Sequence, residues 1–470
     1  VVKKALLIFV FIFCVALVNG QNGFLDKTQM QEDLQFLKSN IEKYHPGLGR
    51  FGDDDFQILH DSLVKSLPDS LDERDFAGYP ALLIAAVHCV HSRIYTSKKQ
   101  DAYWNQTAIY PPFNIKKRGN RFYVSESFDG SGMLQANMEI ISINSMPITE
   151  YVSKLLPYIP VDGANQTRKF KALERGFYAY SRYAFIHNKT IAIKCVNWNG
   201  NVNNLMLPLI SREQLLATRA KNPSIKEPNY SLNWLGTDSI PVLRISSFAI
   251  SDEVEEKFQF ASGLDSIFTV IESKKSKSLI LDLRGNPGGL SEMGAVLGLY
   301  LSEKQFTYAK KLLLKTDSFP PYMTLDIPGP FSGFPLGIKQ KNEIYYWPNH
   351  PVRASFQTAG NHFKGKLYVL TDGNCTSTCS EVTSIIHENR ASTFIGEAPG
   401  GSYSAGNSGV LAYFELPNSQ IKVRIPLVAY YLGVEKKLPN DQLLPDYDVA
   451  EDPLRREDLP LRKALELIRR

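Results

Sequence analysis

The 470-residue sequence is poor in cysteine, with five, and in tryptophan, with four. No CxxC or HxxxH pair accompanies the cysteines, so a zinc centre is a poor reading of them. Neither the Gly-Lys-Ser/Thr of a P-loop nor the GxGxxG of a dinucleotide fold closes its glycine-rich loop, which argues against a nucleotide. The formal charge of +5 is spread along the chain, and without a dense basic block nucleic acid is not an expected partner. After Val18 no stretch is apolar enough to cross a bilayer. Repeats and low-complexity tracts are absent too. No metal or cofactor is expected.

What is present is the composition of a folded soluble protein, 43% hydrophobic and 21% charged, long enough for two or three domains. Residues 1–20 stand apart. Lys3 and Lys4 precede an apolar run from Ala5 to Val18 and then Asn19-Gly20, the layout of a secretory signal peptide cut after Gly20. Cys14 lies inside the apolar run, so no lipid anchor is expected there. The reading is an exported protein, periplasmic or extracellular, with no transmembrane segment in the mature chain. Cys89, Cys195, Cys375 and Cys379 would then meet an oxidising compartment, with their pairing left open.

Residues 24–104 read as a helical domain. Leu34, Leu37, Ile41 and Tyr44 have helical spacing, and His45-Pro46-Gly47 stops the helix. A second helix is expected over Phe56–Leu67 and a third over Tyr79–Val90, ending at His91-Ser92. His45 reads as a helix-end contact and His91 as a structural histidine unless something nearby gives it work. Residues 105–215 change to short strands, including Phe122–Val124, Ile140–Ile143 and Thr190–Ile193. Met138–Leu156 there looks like the strand, turn and helix of a PDZ domain, a unit that binds extended peptides at a sheet edge.

Residues 228–470 turn α/β. Strands are expected at Ile240–Ile245 and Ser278–Leu283, with a helix over Val254–Ile271 between them. The second strand runs into Arg284-Gly285-Asn286-Pro287-Gly288-Gly289 and a helix, Met293–Leu301. A glycine-rich loop at a strand's C-terminal end is where open α/β sheets place binding sites. Residues 305–360, rich in Pro, Lys and aromatics without a clear period, read as an insertion or lid. The tail, Asp452–Arg470, reads as an amphipathic helix.

The stretch from Gly365 to Ser404 organises the rest. A buried strand, Leu367–Leu370, leads through Asp372-Gly373-Asn374 into Cys375-Thr376-Ser377-Thr378-Cys379-Ser380 and a helix. A hydroxyl at that junction sits where backbone N–H groups can stabilise an oxyanion. The same residues are also good helix N-caps.

Together these residues resemble the S41 family of serine peptidases: tail-specific (C-terminal processing) proteases, tricorn-type proteases and interphotoreceptor-retinoid-binding-protein-like relatives. Leu281–Gly289 is similar to the family's glycine loop at every position. Leu367–Ser377 is similar to its approach to the nucleophile, and Gly396-Glu397 to a later motif. Pro445-Asp446 and the spacing of Asp458, Leu461, Ala464 and Leu465 support the likeness. The resemblance implies an α/β multidomain protein: an N-terminal helical domain, a PDZ-like β-rich domain and a ClpP/crotonase-like α/β catalytic core. It also implies a peptide or protein substrate.

The resemblance implies Ser377 as nucleophile, with Thr378 the alternative on counting back from Glu381 and Ser380 a distant third. The position where the tail-specific branch carries its lysine base falls on Ser402, and no Lys lies between Asn374 and Tyr413. The tricorn-type branch takes a histidine base from its N-terminal region, which implies His91 here, although the Asp-Gly that precedes such a histidine in relatives is Cys89-Val90. Glu435, or else Asp441, is the expected carboxylate partner. The oxyanion donors implied are the N–H groups of Gly288 and Thr378, while Asp282 and Arg284 lock the loop. The rival expectation is a catalytically inactive relative that binds peptides or apolar ligands in the same cleft.

Overall fold

The computed structural model describes residues 23–50, 53–183, 189–221, 227–251, 253–452, 454–455 and 457–470. The expected leader lies outside them. The first helices are α1 (Lys27–Tyr44), α2 (Asp53–Ser66) and α3 (Gly78–Ala85). Helix α1 starts at a capping box: Asp26 accepts from the Gln29 N–H, and the Gln29 side chain accepts from the Asp26 N–H. Its apolar face, Leu34, Leu37 and Ile41, is fully buried. These helices do not form a core of their own. They share one continuous cluster with the α/β region, and the short strand β1 (Arg93–Tyr95) pairs with a strand more than 300 residues later in the chain.

A separate hydrophobic cluster belongs to a small antiparallel sheet. Its strands are β2 (Phe113–Arg118), β3 (Arg121–Ser127), β4 (Glu139–Ile143), β5 (Thr190–Val196) and β6 (Val202–Pro208), hydrogen-bonded in that order. After β4, Asn144 and Ser145 both have positive φ, 48° and 65°, the paired left-handed geometry of a tight hairpin turn. Helices α4 (Ile148–Leu155) and α5 (Gln166–Ser181) follow it.

The central sheet contains β7 (Tyr230–Leu235), β8 (Ile240–Ile245) and β9 (Ser278–Asp282). Helix α6 (Val254–Ser273) connects the last two, and α7 (Ser291–Leu301) follows. The stretch 305–360, expected to be an insertion or lid, instead supplies sheet. Strands β10 (Ala309–Leu314), β11 (Thr324–Asp326), β12 (Lys339–Lys341) and β13 (Ile344–Tyr346) all lie within it. They are short and interrupted by Pro and Gly, which hides their period in the sequence.

The chain then returns through β14 (Lys366–Thr371), α8 (Thr378–Asn389), β15 (Ser392–Gly396), the long hairpin of β16 (Ala405–Glu415) and β17 (Lys422–Leu432), β18 (Tyr447–Asp448) and α9 (Leu459–Ile468). The central order is β7-β8-β9-β14-β15-β18, parallel except for the β7 edge. Residues 279–282 and 367–371 are all buried, as strands covered on both faces must be. One face packs on the main cluster and the other on α9, where Ala464 is fully buried. The second sheet runs β11-β16-β17-β10-β13-β12, and β1 pairs with β17.

Candidate active site

Two adjacent parallel strands, β9 and β14, end beside each other, so the loops that leave them meet. Asp372 fastens them: its Oδ1 accepts the Gly285 N–H at 2.9 Å and the Asn374 N–H at 3.0 Å. Asn286, with no exposed surface, fastens them again. Its carbonyl oxygen accepts the Thr376 N–H at 3.2 Å, and its side-chain amide donates to the Ile245 carbonyl at 3.0 Å. Arg284 holds the base of the loop through Asp282, at 2.9 and 2.8 Å, and Asp458 at the start of α9, at 2.8 Å twice. Both residues therefore serve as locks.

Gly288 explains why this loop is glycine-rich. Its φ is +94°, and a Cβ there would lie 2.8 Å from the Ser377 Cβ and 2.7 Å from the Thr376 carbonyl oxygen. Only a residue without a side chain lets the two loops approach so closely.

The hydroxyl cluster of the turn divides by geometry. Thr378 Oγ1 donates to the Gly289 carbonyl at 2.7 Å, Thr376 Oγ1 to the Pro287 carbonyl at 3.2 Å and Ser380 Oγ to the Ser377 carbonyl at 2.8 Å. All three residues are buried. Ser377 is half-buried, and among the described residues its Oγ makes no hydrogen bond and does not cap α8. Its backbone is held at φ 55°, ψ −132°, a conformation that costs a residue with a side chain about 1–3 kcal/mol. A strained turn between strand and helix is how a serine hydroxyl is kept exposed above a sheet. Cys375 and Cys379 are disulfide-bonded across it.

Of the two expected oxyanion donors, the Thr378 N–H has no backbone acceptor among the described residues. The Gly288 N–H points back into its own loop and donates to Asn286 Oδ1 at 2.8 Å, so it is engaged where a free donor was expected.

His91 follows α3. Its residue is half-buried, but its Nδ1 is buried without a partner. Burial first, then the Arg424 and Arg93 guanidinium groups, pull the imidazole down to about 3, so the ring is neutral at physiological pH. No hydrogen bond joins it to Ser377 among the described residues. The link between their segments is Asp162, a buried carboxylate that no sequence pattern marks. Its Oδ1 accepts the Val90 N–H at 3.0 Å, one residue before His91. A Cβ on Gly401 would lie 3.7 Å from Asp162 Oδ2 and 2.1 Å from Ser380 Oγ, beside the Ser377 turn. Burial pushes Asp162 up to about 6.

His45 is the helix-end contact expected of it. Its Nδ1 accepts the Gly47 N–H at 3.0 Å, which leaves the proton on Nε2 to donate to Ser92 Oγ at 2.9 Å. The expected carboxylate partners lie elsewhere. Glu435 is 81% exposed and pairs with Lys310 of β10, three residues beyond the end of β17. Asp441 accepts from Arg50 at 2.9 Å and from the Ser404 N–H at 2.8 Å. Neither contacts His91. Glu381, one turn into α8, is buried and accepts from Ser291 and Tyr308 at 3.0 Å each; burial pushes it up to about 7. Among the described residues no group of His, Cys, Asp and Glu is arranged to hold a metal.

Residues 239–449 match the model of peptidase family S41. Solved structures similar to the chain include mature CPAF, at 14% identity and a TM-score of 0.60, with 90% of this chain and 92% of that one covered. Mature CPAF complexed with lactacystin is similar at 13% identity and 0.61, covering 94% and 97%. A serine-to-alanine mutant of CPAF gives 13% and 0.63, covering 94% and 96%. At such identity the likeness is one of fold. No curated protein matches the sequence.

Proposed function

We propose that this chain, which belongs to peptidase family S41 over residues 239–449, is an exported serine-type peptidase that works through an acyl-enzyme on Ser377. The observation that carries this reading is the division of hydroxyls at the turn. Three are committed to backbone carbonyls, and Ser377 alone is left at a strained, half-buried position. In the proposed reaction Ser377 Oγ attacks the peptide carbonyl carbon while the neutral His91 ring accepts its proton. The Thr378 N–H faces the developing oxyanion, and one such donor is worth about 3 kcal/mol at the transition state. Collapse breaks the C–N bond, the proton passes to the departing amine, and water releases the acyl group.

In this reading the antiparallel sheet of residues 113–208 is the PDZ-like unit, within 105–215, and the parallel sheet with its two loops is the ClpP/crotonase-like core, within 228–470. Export agrees with the Cys375–Cys379 disulfide, since such bonds persist in oxidising compartments. No helix among the described residues is long and apolar enough to cross a membrane.

A second reading, a relative that binds peptides without cleaving them, is favoured by one observation: no carboxylate contacts His91 among the described residues. A serine-reactive fluorophosphonate probe separates the two. Labelling of the wild type that is lost in Ser377→Ala supports the peptidase; a folded protein that does not label, or labels equally after the substitution, ends the Ser377 mechanism.

A further inference from the structure

Helix α5 carries Arg168 and Arg175, with a break in helical geometry at Gly176, and Arg182 is its C-terminal cap. Together with Arg93 on β1 they line a single cavity of about 380 Å³, to which no acidic residue among the described ones contributes. Its remaining wall is aromatic and apolar: Tyr158 and Tyr183 stack with ring centroids 5.1 Å apart. Arg182 is engaged with Tyr183, whose Oη accepts from Nη2 at 2.7 Å.

The other three arginines are not so satisfied. Among the described residues none of Arg93, Arg168 and Arg175 forms an ion pair. Arg168 is only 8% exposed, and its Nε is buried without a partner. Among the described residues its guanidinium makes one hydrogen bond, from Nη1 to Asn374 Oδ1 at 3.2 Å. Burial, and then Arg93, pull Arg168 down to about 10, with Asp162 a weaker influence in the other direction. Arg93 and Arg175 are exposed, so the penalty falls on Arg168: a buried guanidinium with an unpartnered Nε and no ion pair is unfavourable until an anion joins it.

The cavity adjoins the candidate active site. Asn374 lies three residues before Ser377 on the same turn. A Cβ on Gly400 would lie 3.2 Å from Arg168 Cδ and 2.7 Å from Thr376 Cγ2, so the arginine stem packs beside the nucleophile turn. Arg93 and Arg168 are also among the cations that act on His91.

We propose that this arginine-lined cavity is a specificity subsite that takes an Asp or Glu side chain of the peptide on which Ser377 acts. The geometry suits it: planar guanidinium forks match a carboxylate, the tyrosines cover the side-chain stem, and Arg168 connects the cavity to the turn. The inference rests on the peptidase reading, and the experiment distinguishes their failures.

Paired fluorogenic peptides of Gly, Ala and Leu carry one Glu or Gln walked through every position, each with a free and an amidated C-terminus. The full-length wild type is assayed for kcat/KM, and Ser377→Ala for binding by fluorescence anisotropy. The expected result is a preference of tenfold or more for Glu over Gln at one position, in cleavage and in binding, indifferent to amidation. Arg175→Gln should cut that ratio severalfold, and Arg175→Glu should turn it toward a Lys peptide. Arg168→Gln should do the same if it folds; Arg175 is exposed, so its variants keep the test available. Cleavage of Glu and Gln peptides at equal rates overturns the subsite and leaves the peptidase standing. Binding of the Glu peptide without cleavage by the wild type supports the subsite and sinks the peptidase. A preference that follows the free C-terminus and ignores Glu, or no binding of either peptide, overturns the subsite.

Discussion

Cys375 and Cys379 are bonded to one another across Ser377, with their Cα atoms 5.1 Å apart. The bridge ties the approach to Ser377 to the first turn of α8. The loop it closes is so short that chain-entropy scaling gives it only about 2 kcal/mol of global stability. Its local consequence is larger, because it encloses a residue held at positive φ. Both sulfurs are buried, so reductant reaches them slowly and a double Cys375→Ser, Cys379→Ser variant is the cleaner test. That variant should stay folded, lose up to about 2 kcal/mol in urea unfolding, and label with a fluorophosphonate at least tenfold more slowly. Labelling at the wild-type rate would mean the bridge does not position Ser377.

Thr378 is the obvious alternative nucleophile, and its hydroxyl is committed to the Gly289 carbonyl. Removing that donor while keeping the shape leaves a buried acceptor unsatisfied, at about 1–3 kcal/mol. Thr378→Val should therefore lower the unfolding free energy by that amount and still label at Ser377, as peptide mapping of the adduct would read. Loss of labelling from a folded Thr378→Val protein would return Thr378 to candidacy.

The pH profile tests His91. A base works in its deprotonated form, so kcat/KM falls as pH drops through the pKa of the free enzyme. With the ring pulled down to about 3 by burial, Arg424 and Arg93, that acid limb lies far below the usual histidine value near 6.5. Arg424→Gln removes the cation that most depresses the ring after burial, so the limb should move toward higher pH. Asp162, at about 6, and Glu381, at about 7, also titrate nearby, and repeating the profile in Asp162→Asn and in Glu381→Gln separates them. His91→Ala should abolish turnover with the fold intact. An acid limb that Arg424→Gln leaves in place would remove His91 from the role of base.

Arg284 tests the lock on the glycine loop. Arg284→Ala leaves Asp282, a carboxylate 9% exposed, with Arg244 at 3.4 Å as its remaining cation among the described residues, and should cost up to about 3 kcal/mol of stability. Asp458→Asn should cost less than half as much, because Asp458 is 38% exposed and water screens its pairing. Urea unfolding of the two variants reads the difference directly; equal losses would assign the lock to α9 instead of β9.

The strands at 240–245, 278–282 and 366–371, the glycine loop and the turn around Ser377 were all legible in the sequence, for one physical reason. Each is a contiguous pattern: a buried β-branched run, then residues whose backbone freedom the turn requires. The glycine at 288 could be read as a close approach before its neighbour was known. What approached it could not. Only tertiary structure decided that Thr376, Thr378 and Ser380 hand their hydroxyls to carbonyls and Ser377 does not, because two of those carbonyls sit on a loop about 90 residues earlier. The same holds for Glu435, a candidate carboxylate by position that lies exposed and paired with Lys310, and for residues 309–314, whose period is too short to read until β17 lies beside them. Asp162 and Arg168 sit beside the Ser377 turn though they lie more than 200 residues before it. Local chemistry writes the elements, and burial by distant segments decides which side chains are left free to act.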